Sequence, residues 1–348
     1  MSRAAIVGTG YIAGVHAAAL REIGVEVAAV CGRTRERAEE FGIGRPYGDL
    51  GELLDSESVD TLHICTPNDR HAAEALAAAE RGVHVICEKP LATTTEESAQ
   101  MTAAAAERGL VAATCYHSRA YPLVEHMRTE REAGALGEIT LIHGRYFCDD
   151  LLFAATGWRT DPAQSGPSYA VGDLGTHWLD AAEHVSGQRI VEVLAEFRSF
   201  ATKPLEDYAA LLLRFEGGAA GSLLVAAGAA GRKNQLLLEC EGTKAGVTWD
   251  QEEPNVALFR PADAPVQRVI RDPATNAPSA RPLSRYPAGH GEGYGDAFRN
   301  LFTSVYRAIG GSTSESYPTF ADGHHGVALV EAAVASVAAG NAWIAVSA

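Results

Sequence analysis

The chain has 348 residues, 47% of them hydrophobic, enough for two domains that each bury a core. A formal net charge of -15 argues against a phosphate-backbone partner, because such binding draws on clustered Lys and Arg, and nucleic acid is set aside. No run reaches the length that spans a bilayer, and the start, Met1 to Gly8, lacks the apolar segment of a secretory signal.

Residues up to about 120 alternate strand and helix. Ala4 to Val7 is an apolar strand, followed at once by Gly8-Thr9-Gly10-Tyr11-Ile12-Ala13 and an alanine-rich helix that stops at Gly24. A second strand spans Val25 to Cys31. Thr34 can cap the next helix, ending at Gly42, and Asp49 can cap a short one through Leu54. Val59 to Cys65 is a strand halted by Pro67, Asn68 opens a helix ending at Gly82, and Val83 to Ile86 is a strand running into Cys87-Glu88-Lys89-Pro90. Thr94 or Thr95 opens a further helix to Gly109, and Leu110 to Cys115 is a strand. This order, with connections too long for hairpins, predicts right-handed crossovers and a Rossmann-type, doubly wound parallel sheet, an α/β domain over residues 1–122.

Beyond it, over 123–348, the pattern becomes α+β. Pro122 to Ala133 is an amphipathic helix, and strands are expected at Ile139 to Cys148, Ile190 to Ala201, Tyr208 to Phe215, Ala219 to Ala227, Gln235 to Glu241 and Gly246 to Trp249. Consecutive hairpins predict a large, mainly antiparallel open sheet. Residues 261–289, rich in Pro, Ala and Arg, are expected to form a long loop, followed by helices near 293–309 and 320–339 and a short strand at Trp343 to Val346.

The glycine pattern lies between the first strand and first helix, where a dinucleotide would need it. Gly8 permits the tight turn, Gly10 lets the backbone approach a pyrophosphate, and small Ala13 lets helix and strand pack. The second strand ends in Gly32-Arg33-Thr34, without the carboxylate that holds the ribose hydroxyls of NAD. Arg33 can meet a 2'-phosphate and Thr34 can hydrogen-bond to it, which favours NADP(H) and leaves NAD(H) possible; alternatively, Thr34 only caps the helix and Arg33 faces solvent. Lys89, just past a parallel strand, stands where such sheets bind ligands. In Asp173 to His184, the residues Asp173, His177, Asp180 and His184 share one helical face, with Leu174, Trp178, Ala181 and Val185 opposite. That face meets either water or a cleft. Asp and His at this spacing can also ligate zinc, but no further His or Cys cluster supports a metal, and no metal is expected. The six cysteines, at 31, 65, 87, 115, 148 and 240, form no close Cys-x-x-Cys pair, which predicts a reducing, cytoplasmic setting.

The glycine loop, Thr66-Pro67-Asn68-x-x-His71, Glu88-Lys89-Pro90 and Gly172-Asp173-x-Gly175-x-His177-x-x-Asp180, in this order, resemble the Gfo/Idh/MocA oxidoreductases over nearly the whole chain. The resemblance implies a second-domain sheet used for substrate binding and oligomerisation, as a homodimer or homotetramer. It also implies that Lys89, Asp173 and His177 are the active-site lysine, carboxylate and histidine, and that Thr66, Pro67, Asn68 and Glu88 line the nicotinamide side. Trp158-Arg159 resembles a pair found near the cofactor in sugar-oxidising relatives, and His290 in Gly289-His290-Gly291-Glu292 resembles their pocket loop. His117-Ser118-Arg119-Ala120-Tyr121-Pro122 stands where the family often has Asn-Tyr-Arg-Phe-x-Pro, so Arg119 and Pro122 match while the polar side chains differ. Tyr121 is counted with the substrate contacts, and Tyr11, Ile12, His71 and Arg119 with the cofactor contacts. Phe147-Cys148-Asp149 likewise replaces a segment where sugar-binding relatives often offer a glutamine.

The expected activity is NAD(P)-dependent interconversion of a secondary alcohol and a ketone on a sugar, polyol or glycoside. An imidazole titrating near ~6.5 is the better proton acceptor at neutral pH, and an amine near ~10.4 the better charged donor, so His177 is the expected base and Lys89 the electrostatic partner. Burial of the lysine would exchange these roles. An NAD-dependent glycoside hydrolase and a non-catalytic dinucleotide sensor are the alternatives.

Overall fold

The computed structural model describes residues 2–153, 157–201 and 203–347; Met1 and Ala348, the outer limits of the two expected domains, lie outside the described residues. The chain forms two units, Met1–Tyr116 with Phe298–Val327, and His117–Ala297 with Ala328–Ala348.

In the first unit the elements are β1 (Arg3–Val7), α1 (Tyr11–Glu22), β2 (Glu26–Cys31), α2 (Arg35–Phe41), β3 (Arg45–Tyr47), α3 (Leu50–Ser56), β4 (Thr61–Ile64), α4 (His71–Glu80), β5 (His84–Cys87), α5 (Thr95–Glu107) and β6 (Ala112–Thr114). The caps fall where side-chain oxygens sit three residues before a free N–H: Thr34 accepts from Arg37 N, Asp49 from Glu52 N and Thr94 from Glu97 N. The strands form one parallel sheet in the order β3-β2-β1-β4-β5-β6, so the order reverses between β1 and β4, the switch point at which such sheets bind ligands. Its core is aliphatic, with Val7, Leu53, Leu62, Ile64, Val85 and Met101 buried together. The three-residue β3 was not foreseen, because Arg45-Pro46-Tyr47 has no strand pattern; an edge position tolerates its proline.

The second unit begins with α6 (Pro122–Glu132), β7 (Ile139–Phe147), α7 (Asp150–Phe153), α8 (Pro162–Ser165) and α9 (Thr176–Ser186). It continues with β8 (Ile190–Arg198), β9 (Tyr208–Phe215), β10 (Ala220–Ala226), β11 (Gln235–Gly242), β12 (Ala245–Asp250), β13 (Val256–Pro261) and β14 (Gln267–Ile270). Later in the chain come α10 (Tyr294–Ile309), α11 (Phe320–Ala338) and β15 (Ile344–Ala345). The nine strands run β14-β13-β12-β11-β7-β10-β9-β8-β15, antiparallel throughout except for the central parallel pair β7·β10. Helices α6 and α9 cover one face, where Trp178, Leu179, Val185 and Trp249 are buried; the Trp178 indole donates to Leu237 O at 2.8 Å.

Two expectations are corrected here. The loop expected over 261–289 contains β14, an exposed edge strand, and β13 precedes it between β12 and β14; pairing, rather than an apolar pattern, makes them strands. The helix expected from Asp173 is a π-helical turn over Ala170–Gly175 that becomes α-helical only at Thr176. The reason lies at its start, where the buried Glu206 carboxylate accepts from Tyr169 N, Val171 N and the Ser168 hydroxyl, holding the first amides outside an α-helical pattern.

Candidate active site

Each parallel strand of the first unit delivers a polar segment at its C-terminal end. After β1, Gly8 has φ 106°, and a Cβ there would lie 2.5 Å from Cys65 O, so only glycine lets this turn pass β4. A Cβ on Gly10 would meet nothing within 4 Å, no side chain caps α1, and its first turn carries no acid. Open space beside the uncapped amides of Tyr11 and Ile12 fits a pyrophosphate. After β2, Arg33 is exposed and Thr34 caps α2, so its hydroxyl oxygen is already an acceptor there.

After β4, the Thr66 hydroxyl donates to Glu74 at 2.6 Å, and Asn68 is buried. Buried His71 joins this turn to the next one: its ring nitrogens lie 3.0 Å from Thr66 O and 3.0 Å from Pro90 O. After β5, Glu88 is buried, its Oε2 accepts from Lys89 N at 3.2 Å, and its Oε1 lies 3.1 Å from Nε2 of His16. The Lys89-Pro90 peptide is cis. Thr66, Pro67, Asn68, His71, Glu88 and Lys89 therefore lie on two neighbouring strand ends, tied through one imidazole. His16 was missed by sequence reading. Its signal is position: with Ala13, Ala17 and Leu20 it falls on the buried stripe of α1, as the stripe's one polar member.

In the second unit the face of Asp173, His177, Asp180 and His184 is not turned to water. Asp173 is the most accessible and pairs with Arg159 at 3.4 Å, while the Arg159 guanidinium lies 4.7 Å from the centre of the Trp158 ring. His177 is buried, with its ring 4.9 Å from that of His117 in a T-shaped contact, and the Tyr294 ring also lies 5.0 Å from that of His117. His117 and Tyr294 are thus companions of His177 that sequence reading did not pick out, since His117 appeared only as a departure from Asn. Asp180 accepts two hydrogen bonds from Arg119, at 2.8 and 2.5 Å, which tie the turn that carries Arg119 to α9. His184 lies 3.5 Å from Glu125 of α6, and burial lowers its pKa to about 4 even though Glu125 pulls the other way.

Tyr121 is 3% exposed and packs 5.0 Å from Trp249; burial, then Asp296, raises its hydroxyl pKa and keeps it protonated. His290 is exposed on a loop held from beneath by buried Arg271, which donates to the carbonyls of Tyr286, Pro287 and His290 and pairs with Glu292 at 3.0 Å. Cys148 is buried, and Asp149 pairs with Lys233 at 2.7 Å. All six cysteines are buried free thiols. Among the described residues, no helix is long and apolar enough to cross a membrane.

Residues 2–116 match the oxidoreductase family model described as an NAD-binding Rossmann fold, and residues 124–248 match the GFO/IDH/MocA C-terminal domain. The chain is 32% identical over 343 residues to levoglucosan dehydrogenase of Pseudarthrobacter phenanthrenivorans, covering 89% of this chain and 85% of the relative. It is 30% identical to an uncharacterised oxidoreductase of Bacillus subtilis, covering 89% and 86%. Among solved structures it resembles an inositol dehydrogenase homologue of Azotobacter vinelandii complexed with NAD+ (TM-score 0.92, 31% identity, 99% and 97% covered). It likewise resembles a levoglucosan dehydrogenase complexed with NADH and levoglucosan (TM-score 0.91, 28% identity, 99% of each chain). With its parallel sheet, its mainly antiparallel second sheet and these relatives, the chain belongs to the Gfo/Idh/MocA oxidoreductases.

Proposed function

We propose that this protein is an NAD(P)-dependent dehydrogenase or reductase that interconverts a secondary alcohol and a ketone on a sugar, polyol or glycoside. The observation that carries the reading is the set of strand ends in the parallel sheet. An uncapped helix start with open space at Gly10 lies in the same unit as Lys89, which follows β5 with its backbone held by Glu88. When bound, the dinucleotide accepts or supplies the hydride. Gly8, Gly10, Tyr11 and Ile12 would hold its pyrophosphate, Thr66, Pro67, Asn68, His71 and Glu88 its nicotinamide side, and Arg119, Trp158 and Arg159 would add contacts from the second unit.

The chain's own groups handle binding and the proton. Lys89 Nζ donates to the reacting oxygen and stabilises its developing negative charge, and a ring nitrogen of His177 takes the hydroxyl proton during oxidation. Asp173 holds a neighbouring hydroxyl, with Tyr121 and His290 as further substrate contacts. We assign dinucleotide binding to residues 1–122 and substrate binding to 123–348, in a cytoplasmic enzyme. On the cofactor, Arg33 and the missing carboxylate after β2 favour NADP(H), while NAD(H) is the dinucleotide in the solved relatives. On assembly, Leu141, Leu212 and Leu224 stand exposed on one face of the adjacent strands β7, β9 and β10, which supports a homodimer or homotetramer joined through that sheet.

The test is absorbance at the reduced-nicotinamide band, with NAD+ and NADP+ each offered against a panel of sugars, polyols and glycosides. A cofactor-dependent rise with at least one of them is expected. Release of a free sugar without net cofactor turnover would replace this reading with the hydrolase, and dinucleotide binding with no turnover of any kind would replace it with the sensor.

A further inference from the structure

Behind Lys89, the first unit buries a row of polar side chains in an aromatic surround. His16 and His63 are both 0% exposed, with Nδ1 of one 3.0 Å from Nδ1 of the other. The Phe302 ring lies 4.8 Å from His16 and 4.9 Å from His63, and the Phe298 ring 5.5 Å from His16. The row continues at both ends: His63 Nε2 is 3.1 Å from the Tyr306 hydroxyl, and His16 Nε2 is 3.1 Å from Glu88 Oε1.

Hydrogen-bond capacity gives the row a direction. Burial, with His16 beside it, holds His63 well below its ordinary pKa and therefore neutral, and burial holds the Tyr306 proton on its oxygen. A neutral imidazole has one donor and one acceptor, and a carboxylate accepts only. With Glu88 as the acceptor and His16 taken as a neutral ring, His16 donates from Nε2 and accepts at Nδ1. His63 then donates from Nδ1 and accepts at Nε2, and Tyr306 donates to it. Each of these bonds is satisfied in a single arrangement, Tyr306 to His63 to His16 to Glu88. The titratable groups packed around the carboxylate at the ends of β4, β5 and β6 include the thiols of Cys65, Cys87 and Cys115. Burial first, and Glu88 second, holds each of them protonated.

We propose that this one-directional chain holds the Glu88 carboxylate in place behind Lys89, which makes His16 and His63 positioning residues for the reaction. The inference rests on the reading of Lys89 as the group that meets the reacting oxygen. The mechanical link is short: Glu88 Oε1 is held by the chain, and Glu88 Oε2 accepts from Lys89 N. His16, Glu88 and Cys115 also bring potential ligand atoms within 4.8 Å of one another, but a thiol held protonated by burial is a poor metal ligand.

Two measurements test it. In the intact protein with 15N-labelled histidine, His16 is expected as the Nε2–H tautomer and His63 as the Nδ1–H tautomer, with His63 still neutral where a free imidazole would already be protonated. In kinetics, His16→Phe is expected to lower kcat by about tenfold to a hundredfold, with little change in the KM for dinucleotide. It should also bring a new loss of kcat on the acid side, because a buried carboxylate deprived of its donor protonates at higher pH. His16→Gln, which keeps an N–H near the Nε2 position, should recover most of the rate and the parental profile. His63→Asn should likewise outperform His63→Leu, which keeps the idea testable if His16→Phe does not fold. Both histidines as Nε2–H tautomers, a parental pH profile in His16→Phe, or one equivalent of zinc bound by the parent and lost in His16→Gln would each overturn it. If the tautomers are as stated but Lys89→Ala keeps full turnover, the chain stands and only the reading of Lys89 fails.

Discussion

In the parallel-sheet unit, the side chains assigned to chemistry follow the last residues of strands, and their positions are set by backbone. Glu88 and Lys89 come directly after β5, and the Thr66 turn directly after β4, because parallel neighbours in register end together. In the second unit the corresponding side chains stand on a helix start and helix packed over a sheet, and side-chain pairs set their orientation: Arg159 on Asp173, Arg119 on Asp180, Glu125 beside His184. In the first arrangement strand pairing fixes where each residue stands, and buried side chains such as His16 and His71 then hold the strand-end turns. The second depends on these pairs, and most on Arg119–Asp180, since a buried charge that loses its partner is costly.

The largest effect should come from removing one reacting group in each unit. Lys89→Ala and His177→Ala are each expected to lose about a hundredfold to ten-thousandfold in turnover on the substrate that the panel identifies, while dinucleotide binding by fluorescence titration survives. A variant of either kind with near-parental turnover breaks the assignment of chemistry to both units.

Next is the dependence on pairs. Arg271→Ala leaves Glu292 buried beneath the His290 loop, and the loss should be about 3–5 kcal/mol by urea denaturation. A cost below 1 kcal/mol would show that the second unit does not rely on this pair. Acid gives a gentler version of the same test. The unfolded His184 imidazole takes up a proton near ~6.5, whereas burial holds the folded one to about 4. The unfolded chain therefore binds the extra proton, and stability falls as pH drops through that window, by up to about 1.4 kcal/mol per unit. Glu125 adds a lower window. Burial raises its pKa, but the hydrogen bonds from Arg128, with His184 close by, outweigh this and hold it at about 2, so its contribution is lost as pH falls from 4.5 to about 2. His184→Gln should flatten the urea-midpoint slope of the upper window, and an unchanged slope there would remove His184 as its source.

The smallest effect belongs to the edge of the first unit. Arg33 is exposed, so a charged hydrogen bond to a 2'-phosphate should be worth roughly 1.5–3 kcal/mol, or about tenfold to a hundredfold in favour of NADP. Arg33→Ala should erase most of that margin. Equal titration curves for NAD and NADP on the parent would show that Arg33 recognises no phosphate.

Much of the first unit was legible because its signals are local. Caps at Thr34, Asp49 and Thr94, glycine stops and apolar runs each act within a few residues, and alternation of strand and helix then leaves few topologies. The order of motifs similarly pointed to the family before any contact was known. The tertiary structure alone decided what periodicity cannot carry. A face of Asp173, His177, Asp180 and His184 reads the same whether water or Arg159, Arg119 and Glu125 stand opposite, because those partners come from distant segments. The π-helical turn required Glu206, 37 and 35 residues downstream of the two amides that it caps. Strands β13 and β14 required each other. His16 required Glu88, 72 residues away, since on its own helix it is one polar residue on an apolar stripe, and a hydrogen bond exists only when folding brings donor and acceptor within 3 Å or so.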